Sequence, residues 1–383
     1  MKRKHLFFII YTVTLCGLLS CENEIPYNPE MRQPCLVMNA LLEAGESKTN
    51  EVYLYLSTGD NLDKVNDDAI LTLYVTETPQ AFKPEDIYPY PGEWLSPEDY
   101  ETLLKNIHYR KYRLSTPLQP GDLVRLEATA QGGTLRATAE VQVPQPPQDF
   151  RVDTCTVPLN MGSSIVTPHR RYLVTMNDIA NESNHYRLDI RNQFLVRYHI
   201  YEYLRDEQGN FIEDENHNLI YTERDSLTTQ IYSDLVNRED IILTDGNISH
   251  SQEDEDNLMF PRIENKYNIF TDNRFRNSSA TLKVYTRLYD DFTANALHGI
   301  TYGKTYCTQS IHIRLLNLTA DYYRYLKALN CLDDDDYDTT LMEPVSLPCN
   351  VSGGIGFVGI ATPREVVITF PERPCRNTSS SSL

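Results

Sequence analysis

Short runs in which apolar and polar residues alternate recur along this chain, and they constrain its fold more than any other feature. Val52, Leu54 and Leu56 alternate with Glu51, Tyr53 and Tyr55. Ala69, Leu71, Leu73 and Val75 follow, then Val124, Leu126 and Ala128, then Leu135, Ala137, Ala139, Val141 and Val143. A side-chain period of two puts alternate residues on one face, so each run reads as a half-buried strand. Gly59-Asp60, Pro120-Gly121-Asp122 and Gly132-Gly133 supply turns between them. Several strands within about 115 residues predict an immunoglobulin-like β-sandwich over 35–147. Pro144-Gln145-Pro146-Pro147 marks its end. One helix interrupts it: Ser96 as N-cap, Pro97 at the first helical position, Glu98 and Asp99 in the first turn. Tyr100, Leu103, Leu104 and Ile107 would form its apolar face.

Residues 148–375 again read mainly as strands, at Tyr172–Met176, Tyr186–Arg191, Leu195–Leu204, 280–289, Thr305–Leu316, Ile355–Ile360 and Val366–Phe370. Strands of about ten residues predict a curled sheet or a barrel rather than a second small sandwich. A helix is expected at Ala320–Asn330, capped by Thr319, with Tyr322, Tyr325, Leu326 and Leu329 as a stripe against the sheet. The expected fold class is therefore mainly β: an N-terminal immunoglobulin-like sandwich, then a larger β-sheet or barrel-like domain with one packed helix.

The N-terminus carries a targeting signal. Lys2, Arg3 and Lys4 precede an apolar run from Leu6 to Leu19, which reads as a secretory leader over 1–20. Leu18-Leu19-Ser20-Cys21 matches a lipobox, so Cys21 is the expected lipid-attachment residue of the mature chain. The run, about 14 residues, is too short to span a bilayer. Membrane attachment through acyl chains on a soluble body is the expectation. Residues 21–34 form a polar, proline-rich tether, and residues 376–383 a serine-rich, disordered tail. The formal charge of −19 becomes −22 once the three leader bases are removed. So acidic a body argues against nucleic acid as a partner.

With Cys16 in the leader and Cys21 lipidated, six cysteines remain: Cys35, Cys155, Cys307, Cys331, Cys349 and Cys375. An even number in an exported chain predicts disulfides, foremost in the C-terminal group, without fixing the pairing.

Motifs for chemistry are sparse. Gly354-Ile355-Gly356-Phe357-Val358-Gly359 satisfies G-x-G-x-x-G, but Pro363 follows where a nucleotide-binding helix would have to run. The better reading is a curved or bulged strand that a helix approaches closely. Asp333, Asp334, Asp335 and Asp336 offer hard oxygens for Ca²⁺, with a solvated acidic loop as the favoured reading. Asp214, Asn216 and Asn218 have EF-type spacing, but Leu219 stands where the turn needs glycine. Gln252–Asp256 reads as an exposed acidic loop. Asp225-Ser226-Leu227 and Asp338-Thr339-Thr340 resemble a short O-glycosylation acceptor pattern. There is no His-Glu-x-x-His and no Gly-x-Ser-x-Gly. Tyr88, Tyr90 and Trp94, in a proline-rich insertion, form the candidate ligand-binding patch, because aromatic rings offer both apolar faces and polar tips; tyrosine is also a good strand residue, and packing is the favoured reading of these rings.

Several segments are familiar together: Cys35–Leu42, Asp68–Leu73, Ala139–Pro147, Leu318–Lys327 and Asn350–Gly359. Behind a lipobox they resemble the Bacteroidota lipoprotein family known as domain of unknown function 4249, over roughly residues 21–370. Glu22 and Glu24 also resemble the surface-export signal of such lipoproteins. A departure is the tail, where Pro374-Cys375-Arg376 replaces a Cys-Asp-Cys-Arg-like ending. The resemblance implies an outer-membrane lipoprotein, often beside a TonB-dependent transporter, with no established activity. The expected function is a non-catalytic accessory or substrate-capturing role. A surface adhesin or glycan-binding protein is the alternative, and an extracytoplasmic hydrolase the third reading.

Overall fold

The structure, a computed structural model, describes residues 33–45, 50–58, 61–83, 97–160, 166–243, 265–288, 293–294, 301–333 and 345–377. The chain begins with β1 (Cys35–Glu43), β2 (Asn50–Thr58), β3 (Asn61–Lys64), β4 (Ile70–Val75), β5 (Thr78–Phe82), α1 (Pro97–Lys105), β6 (Arg110–Leu114), β7 (Leu123–Ala130) and β8 (Leu135–Gln142). The strands β5-β4-β7-β8 form an antiparallel sheet. Its inward residues Leu71, Leu73, Leu126, Ala128, Ala137 and Ala139 pack on Leu36, Met38, Leu42, Val52, Leu54 and Tyr112 of the facing layer. The period-two runs thus do what their pattern predicts. Of the expected apolar face of α1, Leu103 is exposed and Ile107 is buried just past the helix end, while the side chains of Tyr100 and Leu104 lie outside the described residues.

The second half adds β9 (Gln148–Asn160), β10 (Val166–Asn177), β11 (His185–Tyr203), β12 (Tyr221–Tyr232), β13 (Ile269–Thr271), β14 (Ser279–Arg287), β15 (Thr293–Ala294), β16 (Thr301–Leu318), α2 (Ala320–Leu332), β17 (Ile355–Thr369), β18 (Arg373–Pro374) and β19 (Arg376–Asn377). The long strands form an open sheet rather than a closed barrel, in the order β12-β11-β16-β17-β1-β2-β3. One of its faces is covered by the three-stranded sheet β14-β10-β9, with Tyr172, Val174, Leu282 and Val284 against Leu188, Ile190, Ile311 and Ile313.

Two pairs of expected strands are single strands. Tyr186–Arg191 and Leu195–Leu204 fall on β11, 19 residues long, with Leu204 just past its end, and Ile355–Ile360 and Val366–Phe370 fall on β17, 15 residues long, with Phe370 just past its end. β17 pairs in parallel with β1 as far as Ala361, then antiparallel with β16 from Ala361 to Thr369. Pro363 therefore sits just past the point where β1 leaves, with one edge of the strand open, and a missing N–H is tolerated there.

The Asn350–Gly359 segment explains this exchange. The Asn350 amide clamps Val358, donating to its carbonyl at 2.7 Å and accepting from its N–H at 2.9 Å. Gly356 has φ +120°, and a Cβ there would collide with the Met38 carbonyl. At Gly359 an added Cβ would meet the Tyr322 ring at 2.7 Å. The glycine pattern is thus a packing device, with a strand where a nucleotide site needs a helix. Thr319 caps α2 by accepting from the Tyr322 N–H, and Tyr322, Tyr323 and Leu326 bury against the sheet. Tyr325 stacks on Phe357 at 4.3 Å, 3° from parallel.

Gly359→Val overpacks a site with no spare space. It is expected to lower stability by about 1–3 kcal/mol, read as a reduced midpoint in urea unfolding.

Candidate functional site

In β11 the even residues Phe194, Val196, Tyr198 and Ile200 are buried. Alternation puts Gln193, Leu195, Arg197, His199, Tyr201 and Tyr203 on the opposite face, which is half-exposed or exposed. Register brings further residues onto that face. Tyr221, Glu223, Asp225 and Leu227 of β12 lie opposite Tyr203, Tyr201, His199 and Arg197. Tyr306 of β16 lies opposite Arg197, and Ser310 opposite Gln193. Leu195, Leu227 and Ile231 are exposed there. From Gln193 to Tyr203 the strip runs roughly 30 Å along the strands.

His199 occupies its centre. Nδ1 lies 2.9 Å from Asp225 Oδ1, and Nε2 lies 3.2 Å from Glu223 Oε2. The hydrogen bond to Asp225, joined by the bond and charge of Glu223, holds its pKa above the ordinary 6.5. Two carboxylates on opposite ring nitrogens do not converge on one point, so the cluster orients the imidazole rather than chelating. One guanidinium nitrogen of Arg197 lies 2.9 Å from both oxygens of Glu372, and the group sits 5.4 Å from the Tyr306 ring centre. Arg197, His199, Tyr201, Asp225 and Tyr306 line a depression of about 330 Å³.

Aromatic contacts continue from it along the β11–β12 hairpin. Centroid distances are 5.2 Å for His199–Tyr201, 4.9 Å for Tyr201–Tyr221, 5.8 Å for Tyr203–Tyr221 and 6.0 Å for Tyr203–Phe211. Arg205 caps the series, 4.0 Å over Phe211.

A second hydrogen-bonded line lies on the same sheet face. Ser310 Oγ is 3.0 Å from His312 Nε2, and His312 Nδ1 is 2.9 Å from Glu365 Oε1. The order is that of a serine–histidine–carboxylate relay. At Ser310, β16 is paired with Gln193 on one side and Thr369 on the other. Backbone N–H groups there are used by the ladder rather than aimed at a developing oxyanion. Glu365 also borders a cleft of about 610 Å³ with Arg364, the linker residues Gln145, Pro146 and Pro147, and Gln148, Asp149 and Phe150 at the start of β9.

Several residues singled out in the sequence lie outside the described residues: Cys21, Tyr88, Tyr90, Trp94, Asp334, Asp335 and Asp336, as well as Gln252–Asp256 and Asp338-Thr339-Thr340. Asp333 is described and follows α2, where its carboxylate accepts from the Tyr267 hydroxyl at 2.6 Å and its carbonyl from Lys266. Among the described residues, no group of three or more His, Cys, Asp or Glu side chains is arranged to hold a metal ion. Asp214 closes a tight turn, accepting from the Asn216 and Asn218 N–H groups at 2.8 Å. His217 takes the left-handed conformation at φ +63°, so the turn is complete without glycine at Leu219. Asp225-Ser226-Leu227 lies within the β12 ladder.

The six cysteines are free thiols. Cys307 and Cys375 come together at the end of the Phe194–Ile200 core. Burial and the neighbouring Cys307 push the Cys375 thiol up to about 12. Cys331 donates to the Lys327 carbonyl and Cys349 to the Val351 carbonyl, while Cys155 is exposed.

The His199 cluster was missed from sequence because it joins residues of two strands, one of them, β12, unrecognised. Its signal was the alternation of Arg197, His199, Tyr201 and Tyr203, with Tyr221, Glu223 and Asp225 repeating the period.

Two measurements check this geometry. In NMR titration, His199 is expected to deprotonate above 6.5, and Asp225→Asn to move its midpoint down. Because the folded-state value is raised, the cluster's contribution to stability is full below the unfolded value and lost as pH rises through the folded one. In reduced protein, iodoacetamide is expected to modify exposed Cys155 and Cys349 first, and Cys307 and Cys375 last, read by mass spectrometry of peptides.

Comparisons with known proteins place the chain by sequence. No curated protein matches it. Among solved structures, a DUF4785 family protein from Legionella pneumophila is similar at 9% identity over 74% of this chain, with a TM-score of 0.21. This chain covers 52% of that protein's length. The B domain of a biofilm associated protein is similar at 7% identity over 88% of this chain and 86% of its own, with a TM-score of 0.16. Likenesses this weak carry no argument about fold or function. The family model described as Domain of unknown function (DUF4249) matches residues 22–366, and the chain belongs to that family.

Proposed function

We propose that this chain is a non-catalytic binding protein, tethered to the outer membrane of a Bacteroidota cell through a lipid on Cys21. It acts as an accessory or substrate-capturing partner of a TonB-dependent transporter. The observation that carries the capture role is the solvent-facing side of β11, β12 and β16. There a long, hydrogen-bonded sheet holds half-exposed aromatic and charged side chains in fixed positions around a depression of about 330 Å³. A preorganised face of this kind suits recognition, because its side chains lose little freedom on binding. The lipobox supports the anchor, and family membership supports the setting. We read the relay-like line at Ser310 as structural, supported by the pairing of its strand on both sides at that residue.

The test is a detergent pull-down with C-terminally tagged protein, comparing wild type with Cys21→Ala. Wild type is expected to incorporate a labelled palmitate analogue and to recover a TonB-dependent transporter, and the variant to do neither. Anchoring without any transporter would sink the accessory role. Unchanged lipid labelling in Cys21→Ala would sink the anchor assignment.

A further inference from the structure

Resting on the capture reading, we propose that the depression around His199, with the tyrosines that continue from it, binds a neutral saccharide. The chemical class follows from how the site is built. Its aromatic side chains are arranged in series, from Tyr306 beside Arg197, through His199 and Tyr201, to Tyr221 and Tyr203. A pyranose presents apolar C–H faces to such rings and hydroxyls around its edge. Hydroxyls match the polar groups that stand between these rings, because each both donates and accepts.

Charge decides between neutral and ionic ligands. Arg197 is matched by Glu372, and His199 by Asp225 and Glu223. An anion would meet three carboxylates around two cationic side chains, and a cation would have to compete with partners already in place. A neutral ligand breaks no pair. It uses what the pairs leave over: the guanidinium has five N–H donors, and a carboxylate about four lone-pair sites. These charges stay partly in water, with side-chain exposures of 42% for Arg197, 34% for His199 and 52% for Asp225. They are accessible to a ligand without any rearrangement. A volume of about 330 Å³ lies at the small end of the range for ligand sites, roughly 300–1,000 Å³, which suits a short stretch of sugar. Further sugar units would extend toward Tyr221 and Tyr203.

The experiment is isothermal titration calorimetry on the full chain purified in detergent. The probes are neutral hexasaccharides of the cello, malto, xylo, manno and chito series, and an acidic oligogalacturonate. At least one neutral probe is expected to bind saturably. Tyr201→Ala and Arg197→Ala are each expected to weaken it about tenfold, equivalent to about 1.4 kcal/mol. Asp225→Asn, which keeps the side-chain shape at an exposed position, is the variant least disturbing to the fold, and it is expected to weaken the same probe. Binding of none of the neutral probes, binding of the acidic probe alone, or affinities unchanged in all three variants would overturn the proposal. The transporter pull-down is read separately. A recovered transporter with no saccharide binding overturns the saccharide site and leaves the capture role standing. Saccharide binding without a transporter supports the site and overturns the partner.

Discussion

Strand β17 is the constraint on which the rest of the structure depends, because one run of 15 residues closes three hydrophobic cores. Val358 and Ile360 enter the N-terminal sandwich. Phe357 and Ala361, on the other side of the same strand, meet the tyrosines of α2. Farther along, Ile368, and Phe370 just past the strand's end, pack on the core under β14-β10-β9. A strand buried on both faces cannot alternate, which is why this stretch reads as continuously apolar and glycine-rich. The partner across the ladder is β1, so the Asn39 side chain accepts from the Phe357 N–H across 318 residues of sequence. Neither end of the chain can complete its core until the other arrives, and loop closure over that distance makes folding intrinsically slow.

Arg314 adds a polar link at the same junction. It is buried, lies 2.5 Å from Glu43 at the end of β1, and lies 3.4 Å from Asp189 of β11. Burial works against its charge, and Glu43 and Asp189 more than offset that, so its pKa is raised. Replacing such a cluster with apolar residues is often neutral for stability, whereas removing one partner is costly because an uncompensated charge remains buried. On the sheet face that carries Arg314, the half-exposed strip begins where Ser310 and His312 replace the apolar residues covered by α2.

Much of this was legible in the sequence, for physical reasons that also explain what was not. Strands with one wet face announce themselves by alternation, as in Leu71–Val75 and Leu135–Val143. The cap at Thr319 and the tyrosine stripe of α2 fix a helix locally. Strand β9 escaped because its residues are mostly half-exposed or exposed, and β12 because its polar run Tyr221–Gln230 buries little. The union of two apolar runs into β17 was hidden by Pro363, whose tolerance depends on which edge of the strand is open. Long-range pairing is not a property of either segment alone. For the same reason the His199 cluster was illegible: the residues were visible, but the register that sets Asp225 opposite His199 is decided by the hairpin between them.

That hairpin links the fold to the proposed recognition. Its turns are self-contained. Asp206 and Asp214 each accept two backbone N–H groups from their own loops, and Gly209 and His217 take the left-handed positions. Local chemistry thus fixes the register, and register fixes which side chains meet on the solvent face, since a slip by one residue would turn Asp225 away and bring Arg224 or Ser226 in its place. The opposite face is anchored by Phe194, Val196, Tyr198 and Ile200 in a core, so the slip carries a burial penalty as well as an electrostatic one. The exposed cluster is therefore held in place by apolar residues it never touches. A site built this way can vary its solvent-facing residues without disturbing the core, which suits a scaffold that presents different ligand chemistries on one sheet.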